Sequence, residues 1–525
     1  ITCRDWSSDV CSSDLRMKRL LVILMLILVV SLVAQKQETK VNSVSVLSSS
    51  EEETILQYKI NSYDQSKVKI DNQDWYHIFL PESGITLDKG NPQLPVFNFS
   101  IIIDDIAKVE LELFDVEYRD VKLPIAPSKG NISRNINPST IPYEFGTIYQ
   151  SKDFYPRTMA ELSDPYILRD FRGITIKTTP FAYKADTQTL RIYTSYKIRV
   201  FKTGIDTINT LSRDRSIHGV SREFIPVYED RFVNWQANRY TPVSDSFGKL
   251  LVICHSNYLT QIAPYVNWKK QKGIETKLVE WSTIGSTAAQ LQAYIQSQYN
   301  ADNALTFVQL VGDHAQIPSI LYTSSDNETG GSDPSFALVA GSDNYPDIFI
   351  GRFSAETTAQ VTTQVNRSIS YERDLTVSDT WLSKALGIAS DEGGSTSDMG
   401  ESDIQHMNNI RTKLLNYGYN SVDQVYDPGA LASTVSTNVN TGRGFINYVG
   451  HGDITSWVTT GFSTTNASSL SNGTKTPLIM DVACLNGNFT SNTCFAEAWM
   501  RNTNGGAITI YASSINQDWN PPMRA

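Results

Sequence analysis

Two kinds of hydrophobic patterning divide the chain near residue 240. Before it, apolar and polar residues alternate. Val109, Leu111 and Leu113 share one face, and Phe114, Val116 and Tyr118 continue the alternation one residue out of phase. A period of two marks a strand with one buried face, and a slipped phase predicts a β-bulge. Residues 190–201 alternate again through Ile192, Tyr196, Ile198 and Val200, so this region reads as β-rich and sandwich-like. After Asp245 short apolar runs alternate with helical stretches. Strands are expected at 250–254, 274–279, 305–311, 348–350, 385–389, 445–449, 478–483 and 507–511. Helices are expected at 259–272, 287–299, 355–373 and 402–417. Strands alternating with helices of this length imply βαβ units and parallel strands, as two sheets in tandem or one long sheet.

Length and composition narrow the class. A chain of 525 residues implies two to four domains. Apolar residues at 40% and charged residues at 19% exclude a disordered chain or a coiled coil. The net charge of −10, with no basic domain, argues against nucleic acid as a partner. Residues 1–16 fit nothing downstream and resemble a translated sequencing adapter, which makes Met17 the expected start. From there Lys18, Arg19 and the apolar run Leu20–Val33 read as a signal peptide, 17–34. That run is shorter than the ~20 residues a membrane span needs, so export without a transmembrane anchor is expected. The chain stops at Pro521-Pro522-Met523-Arg524-Ala525 without a closing element, and the domain there is expected to be incomplete.

The candidate chemistry lies in the second half. With Cys3 and Cys11 set aside, three cysteines remain. Cys254 lies inside an apolar strand and reads as core, and Cys494 at a helix start reads as structural. Cys484 differs, because an apolar strand ends on it and a Gly- and Asn-rich turn follows. His451 stands in the same relation to the strand 445–449, between Gly450 and Gly452. Two parallel strands align their carboxyl ends, where open α/β sheets place active sites. The alternatives at this point are a Cys–His pair, with the N–H groups of Gly452 and Cys484 as oxyanion donors, or a buried Cys and a turn His. Asp343-Asn344-Tyr345-Pro346-Asp347 alternates oxygen ligands as calcium loops do, although most acidic loops are only solvated.

Several motifs carry a resemblance. NYVGHGD (447–453) and LIMDVACLNGNF (478–489) resemble the His and Cys segments of the gingipain family of secreted bacterial cysteine peptidases. LVGDH (310–314), FIGRFS (349–354), SDEGG (390–394), GESDIQH (400–406), CFAEAWMR (494–501) and INQDW (515–519) follow in the family's order. The resemblance implies a caspase-like α/β catalytic domain with two parallel-sheet subdomains, 240–382 and 383–525, after a β-rich prodomain, 35–239. It implies Cys484 as nucleophile, His451 as base and Glu392 as the carboxylate that orients it. Asp403 would sit at the floor of an Arg-accepting pocket, lined by Val482 and Gln517 and covered by Trp519. Val449 departs from the polar residue of Arg-specific members. Asp313, Asp343, Tyr345, Asp347, Glu401 and His406 match calcium-holding positions, with Asp347 in place of a longer Glu. Arg239 resembles the processing point between prodomain and enzyme. The implied protein is a secreted, calcium-stabilised precursor of a cysteine endopeptidase that acts on proteins after Arg and is inhibited by its own prodomain. The alternatives are a sortase-like transpeptidase of type IX secretion on the same fold, and an inactive surface adhesin.

Overall fold

The computed structural model describes residues 42–211, 220–236, 247–324, 327–394, 400–490 and 492–520. The leader 17–34, the stretch 1–16, Arg239 and the residues after 520 lie outside them. Among the described residues no helix is long and apolar enough to cross a membrane.

The amino-terminal half is a β-sandwich. One sheet runs in the order Asn42–Ser49, Glu53–Ile60, Thr189–Ile205, Phe181–Lys184, with Ala107–Lys122 also paired along Thr189–Ile205. The other is built on Phe171–Thr178, flanked by Pro95–Ile102 and Ala160–Leu162. Leu56, Tyr58, Tyr196, Ile198 and Val200 of the first sheet pack on Phe99, Ile101, Ile174 and Ile176 of the second. The phase slip after Leu113 is a bulge. The register shifts between Ser195 and Lys197 of the opposite strand, and Asp115 takes a left-handed φ of 51°.

The second half contains two parallel sheets in tandem. In the first, Lys249–Cys254 (β1) lies between Thr276–Glu280 (β2) and Leu305–Val311 (β3), with Phe349–Phe353 (β4) beyond β3. Side chains of β1 alternate between faces. Leu251 and Ile253 meet Leu291 and Ile295 of one helix, Ala288–Ala301. Leu250, Val252 and Cys254 meet Ile262 and Val266 of Leu259–Gln271, and Val361 and Val365 of Thr358–Arg373. This two-sided burial is why the strand reads as one unbroken apolar run.

The second sheet has Lys384–Ala389 (β5), Ser421–Tyr426 (β6), Phe445–Val449 (β7), Leu478–Val482 (β8) and Thr509–Ala512 (β9), in the order β6-β5-β7-β8-β9. Its direction of winding reverses between β5 and β7, which opens a crevice at their carboxyl ends. The helix Asp403–Tyr417 (α1) covers one face through Met407, against Ala389, Val449 and Val482. The other face packs Ile446, Tyr448 and Ile479 on Phe495 and Trp499 of the helix Phe495–Arg501. Cys494 is the N-cap of that helix and Cys254 is a core residue, as their sequence settings imply. Strand β6 and the helix Ala432–Thr441 were not among the expected elements.

One buried group sets a pH dependence. Asp481, in β8, is 2% exposed, with the Trp457 indole as its polar neighbour. Burial pushes its pKa up to about 8. An acid whose folded pKa lies above its unfolded value holds a proton that the unfolded chain releases. Its contribution to stability therefore falls as pH rises from about 4, the unfolded value, to about 8. Asp481→Asn in a Cys484→Ala chain is expected to abolish that slope. The gain at pH 9 is expected to exceed that at pH 5 by several kcal/mol, about 1.4 for each pH unit crossed below the folded pKa. Urea denaturation across pH would show this, and parallel curves for the two chains would refute it.

Candidate active site

Parallel register brings the two reactive side chains to one edge. Val449, the last residue of β7, pairs with Val482, the last of β8. His451 and Cys484 each lie two residues further on, so both emerge above the carboxyl ends of neighbouring strands. Glu392 follows β5, on the other side of β7. Its Oε2 lies 2.8 Å from His451 Nε2. A carboxylate only accepts, so Nε2 carries the proton and Nδ1 keeps the lone pair that can take a proton from a thiol. Gly450 and Gly452 are required by space. A Cβ on Gly452 would lie 2.5 Å from the Cys484 carbonyl oxygen and 2.8 Å from Ala483 Cβ.

The Cys484 thiol is 2% exposed, and burial raises its pKa above the ordinary thiol value. The backbone N–H of Gln517, 3.4 Å from Sγ, and the positive charge of Arg134 pull the other way. Burial is the larger effect, so the thiolate is disfavoured in this arrangement.

Beside it lies a buried site that Arg134 fills. Ser402 caps α1 by accepting the Gln405 N–H, which fixes Asp403 in the first turn. Asp403 is fully buried and bonded to Ser390 Oγ at 2.6 Å. Its two oxygens accept Nη1 and Nη2 of Arg134 at 3.0 and 2.9 Å, a bidentate fork with both side chains at 0% exposure. The guanidinium carbon lies 4.4 Å from the ring centre of Trp519. Val482 belongs to the apolar cluster that packs against α1, together with Val449.

Arg134 comes from the amino-terminal β domain, and its backbone is paired as well. Its N–H donates to the Gln517 carbonyl at 2.7 Å, and the Trp519 N–H donates to the Ile132 carbonyl at 2.9 Å. Ser133 and Asp518 form an antiparallel bridge. Residues 132–134 thus add a short strand to 517–519. After Arg134 the chain turns back, with the Ile136 N–H on the Ser133 carbonyl at 3.0 Å. The indole N–H of Trp519 donates to the Ile136 carbonyl at 3.0 Å.

Comparison with known proteins fits this geometry. The profile of peptidase family C25 matches residues 244–521, more than half of the chain. The chain belongs to peptidase family C25. The C25 propeptide profile matches residues 35–234. Gingipain R2 of Porphyromonas gingivalis is 40% identical over 447 residues, covering 83% of this chain and 60% of that protein. This chain therefore spans less than two thirds of that relative. A crystal structure of the Arg-specific cysteine proteinase gingipain R superposes with a TM-score of 0.51 at 42% identity, over 54% of this chain and 67% of that one. A complex of the pro- and mature domains of RgpB from P. gingivalis gives a TM-score of 0.51 at 42% identity, over 53% and 66%.

The six residues expected to hold calcium occupy three places in this C25 chain. Asp313 follows β3. Its oxygens accept the His314 N–H at 2.6 Å and lie 3.1 Å from Arg501 Nη2. Glu401 bonds His406 Nδ1 at 2.8 Å and Asn409 Nδ2 at 2.6 Å. Asp343 accepts the N–H groups of Tyr345 and Ile167 at 3.0 and 2.8 Å. Asp347 accepts those of Arg169, Ala340 and Val339 at 2.7, 2.7 and 3.0 Å. Among the described residues no three His, Cys, Asp or Glu side chains converge on a metal position. The six residues therefore do not form a single cluster, and their carboxylates accept protein donors as arranged here.

Sequence reasoning missed Arg134 and Ser390. The signal for Arg134 was indirect. An Arg-accepting pocket in a chain that carries its own propeptide calls for an Arg in an irregular propeptide segment, and KGNISRNINP (129–138) is one.

Gly452→Ala is expected to displace the Cys484 turn and to destabilise a Cys484→Ala chain by about 1–3 kcal/mol, the usual penalty for overpacking. Gly461→Ala, with open space around its Cβ position, is the control for left-handed backbone cost alone. Denaturant midpoints of the two variants check this.

Proposed function

We propose that this chain is the latent precursor of an exported cysteine endopeptidase that cleaves after Arg. The observation that carries the reading is Arg134. A guanidinium forked on buried Asp403 and laid on Trp519, with its backbone strand-paired to Gln517–Trp519 beside Cys484, is the pose of a bound substrate side chain. A planar fork suits a carboxylate in two places at once, which an ammonium does not, so the pocket prefers Arg to Lys. Apolar Val449 packs behind α1 and leaves that fork unchanged.

In the reaction, His451 Nδ1 takes the Cys484 proton as Sγ attacks the carbonyl carbon after Arg, while Glu392 accepts Nε2–H and holds the ring in place. The N–H groups of Gly452 and Cys484 are the proposed donors to the tetrahedral oxyanion. Collapse passes the imidazolium proton to the leaving amine. Water, deprotonated by His451, then releases the acyl group from sulfur. Calcium, expected from the resemblance, is given no step.

The same geometry accounts for inhibition by the prodomain. Arg134 fills the pocket, while the turn closed by Ile136 and Ser133 folds the following residues back toward Trp519. The bond after Arg134 is held in a turn instead of an extended strand across His451. Export through 17–34 and processing after Arg239 complete the reading, with type IX secretion as the expected route.

Three variants test it on peptides with Arg or Lys before the scissile bond, with and without an amine acceptor. Cys484→Ala is expected to abolish turnover and self-processing. Asp403→Asn is expected to cost roughly 2–5 kcal/mol, or about 30- to several-thousand-fold in kcat/KM for Arg peptides. Arg134→Ala leaves Asp403 buried without its partner, and activity is expected to appear without the lag of the parent. Transfer to the amine without Arg preference would overturn the reading in favour of a transpeptidase.

A further inference from the structure

The short strand 517–519 has two faces, and only one of them serves Arg134. Residues 132–134 pair with it antiparallel. The Arg134 N–H meets the Gln517 carbonyl at 2.7 Å and the Trp519 N–H meets the Ile132 carbonyl at 2.9 Å. These two bonds flank the bridge between Ser133 and Asp518. Ser133 and Asp518 are therefore a non-hydrogen-bonded pair, the kind whose side chains stand closest and on one face. Alternation along both strands sorts the neighbours. Arg134 and Ile132 lie with Gln517 and Trp519, and both are buried. Ser133 and Asn131 lie with Asp518 on the opposite face.

That second face carries a polar contact of its own. Asn131 Nδ2 donates to Asp518 Oδ2 at 2.6 Å in an exposed setting. Ser133 Oγ meets no partner among the described residues. The carboxylate is thus answered by the residue two places further back. Counted back from the bond that follows it, Arg134 is the first residue, Ser133 the second, Ile132 the third and Asn131 the fourth. This count rests on reading Arg134 as a bound substrate side chain.

We infer that Asp518 is a specificity-determining residue of the proposed peptidase. It selects a hydrogen-bond donor, and a cation above all, at the fourth residue of the substrate. A carboxylate only accepts, so it favours Lys, Arg or Asn there and repels Asp and Glu. The third residue, on the face of Trp519, is indifferent to it. The substrate class is then an extended segment with a basic residue three places ahead of the Arg.

The test uses acetylated tetrapeptides that end in Arg joined to a fluorogenic amine. Lys-Ile-Ser-Arg and Glu-Ile-Ser-Arg vary the fourth residue, and Asn-Lys-Ser-Arg and Asn-Glu-Ser-Arg vary the third. The parent is expected to prefer Lys to Glu at the fourth residue by about 5-fold in kcat/KM, the upper range for an exposed charge pair. High salt is expected to shrink that ratio, because the contact is exposed. Asp518→Ala is expected to bring it close to unity and Asp518→Lys to invert it. The third-residue ratio is expected to be the same in all three enzymes. Replacing the final Arg by Lys in the same assay measures the Asp403 site by itself, so failure of the substrate reading is told apart from failure at Asp518.

A second measurement needs no turnover. In the full chain with Cys484→Ala, Asn131→Ala and Asp518→Ala are each expected to speed hydrogen exchange of the Trp519 amide about 5-fold, and together no more than either alone. An unchanged fourth-residue ratio in Asp518→Lys, or an equal shift at the third residue, would overturn the inference. If the peptides are not cut, additive or absent effects on the Trp519 amide would overturn it instead.

Discussion

The ion pair between Arg134 and Asp403 organises this molecule. Neither group meets water, and two charges removed from solvent are tolerated only when each satisfies the other in good geometry. The fork supplies that geometry, and everything near it is arranged around the fork. Ser390 takes a further position on the carboxylate, Trp519 covers the guanidinium, and the strand 517–519 takes up the backbone of 132–134. A carboxylate in such a place is costly to leave alone. Arg134 of the amino-terminal domain supplies the guanidinium that answers it.

The reacting groups depend on a different constraint, the fixed register of parallel strands. Because β5, β7 and β8 end level, Glu392, His451 and Cys484 leave the sheet side by side. The faces below are filled from both sides, by α1 through Met407 and by the helix Phe495–Arg501 through Trp499. That packing keeps the strand ends from shifting against one another. Gly452 completes the arrangement by allowing backbone to approach backbone where no side chain fits.

What was legible in the sequence follows from these causes. Strands buried on both faces announce themselves as apolar runs, so β1, β3, β7 and β8 and the residues at their ends could be read directly. Strand β6, SVDQVY, lies at the sheet edge and carries polar residues, and the helix Ala432–Thr441 is rich in Ser, Thr and Asn, so neither stands out. Arg134 and Arg169 act from irregular or short segments across 269 and more than 130 residues of sequence. Nothing local marks such pairings. The acidic residues of 343–347 were visible as candidate oxygen ligands. Their occupation by backbone N–H groups of 167 and 169 depends on a domain they do not share.

The burial of Cys484 also has a redox consequence. A thiolate, and not a thiol, is the nucleophile that attacks peroxides and disulfides and is oxidised by them. Here burial disfavours the Cys484 thiolate, and the residue is 2% exposed beside the segment that carries Arg134. Cys254 and Cys494 are buried too, so none of the three cysteines among the described residues presents an exposed thiol. The prodomain is in this sense a cap over a perishable atom. The Cys484 sulfur meets such reagents only when that cap moves away.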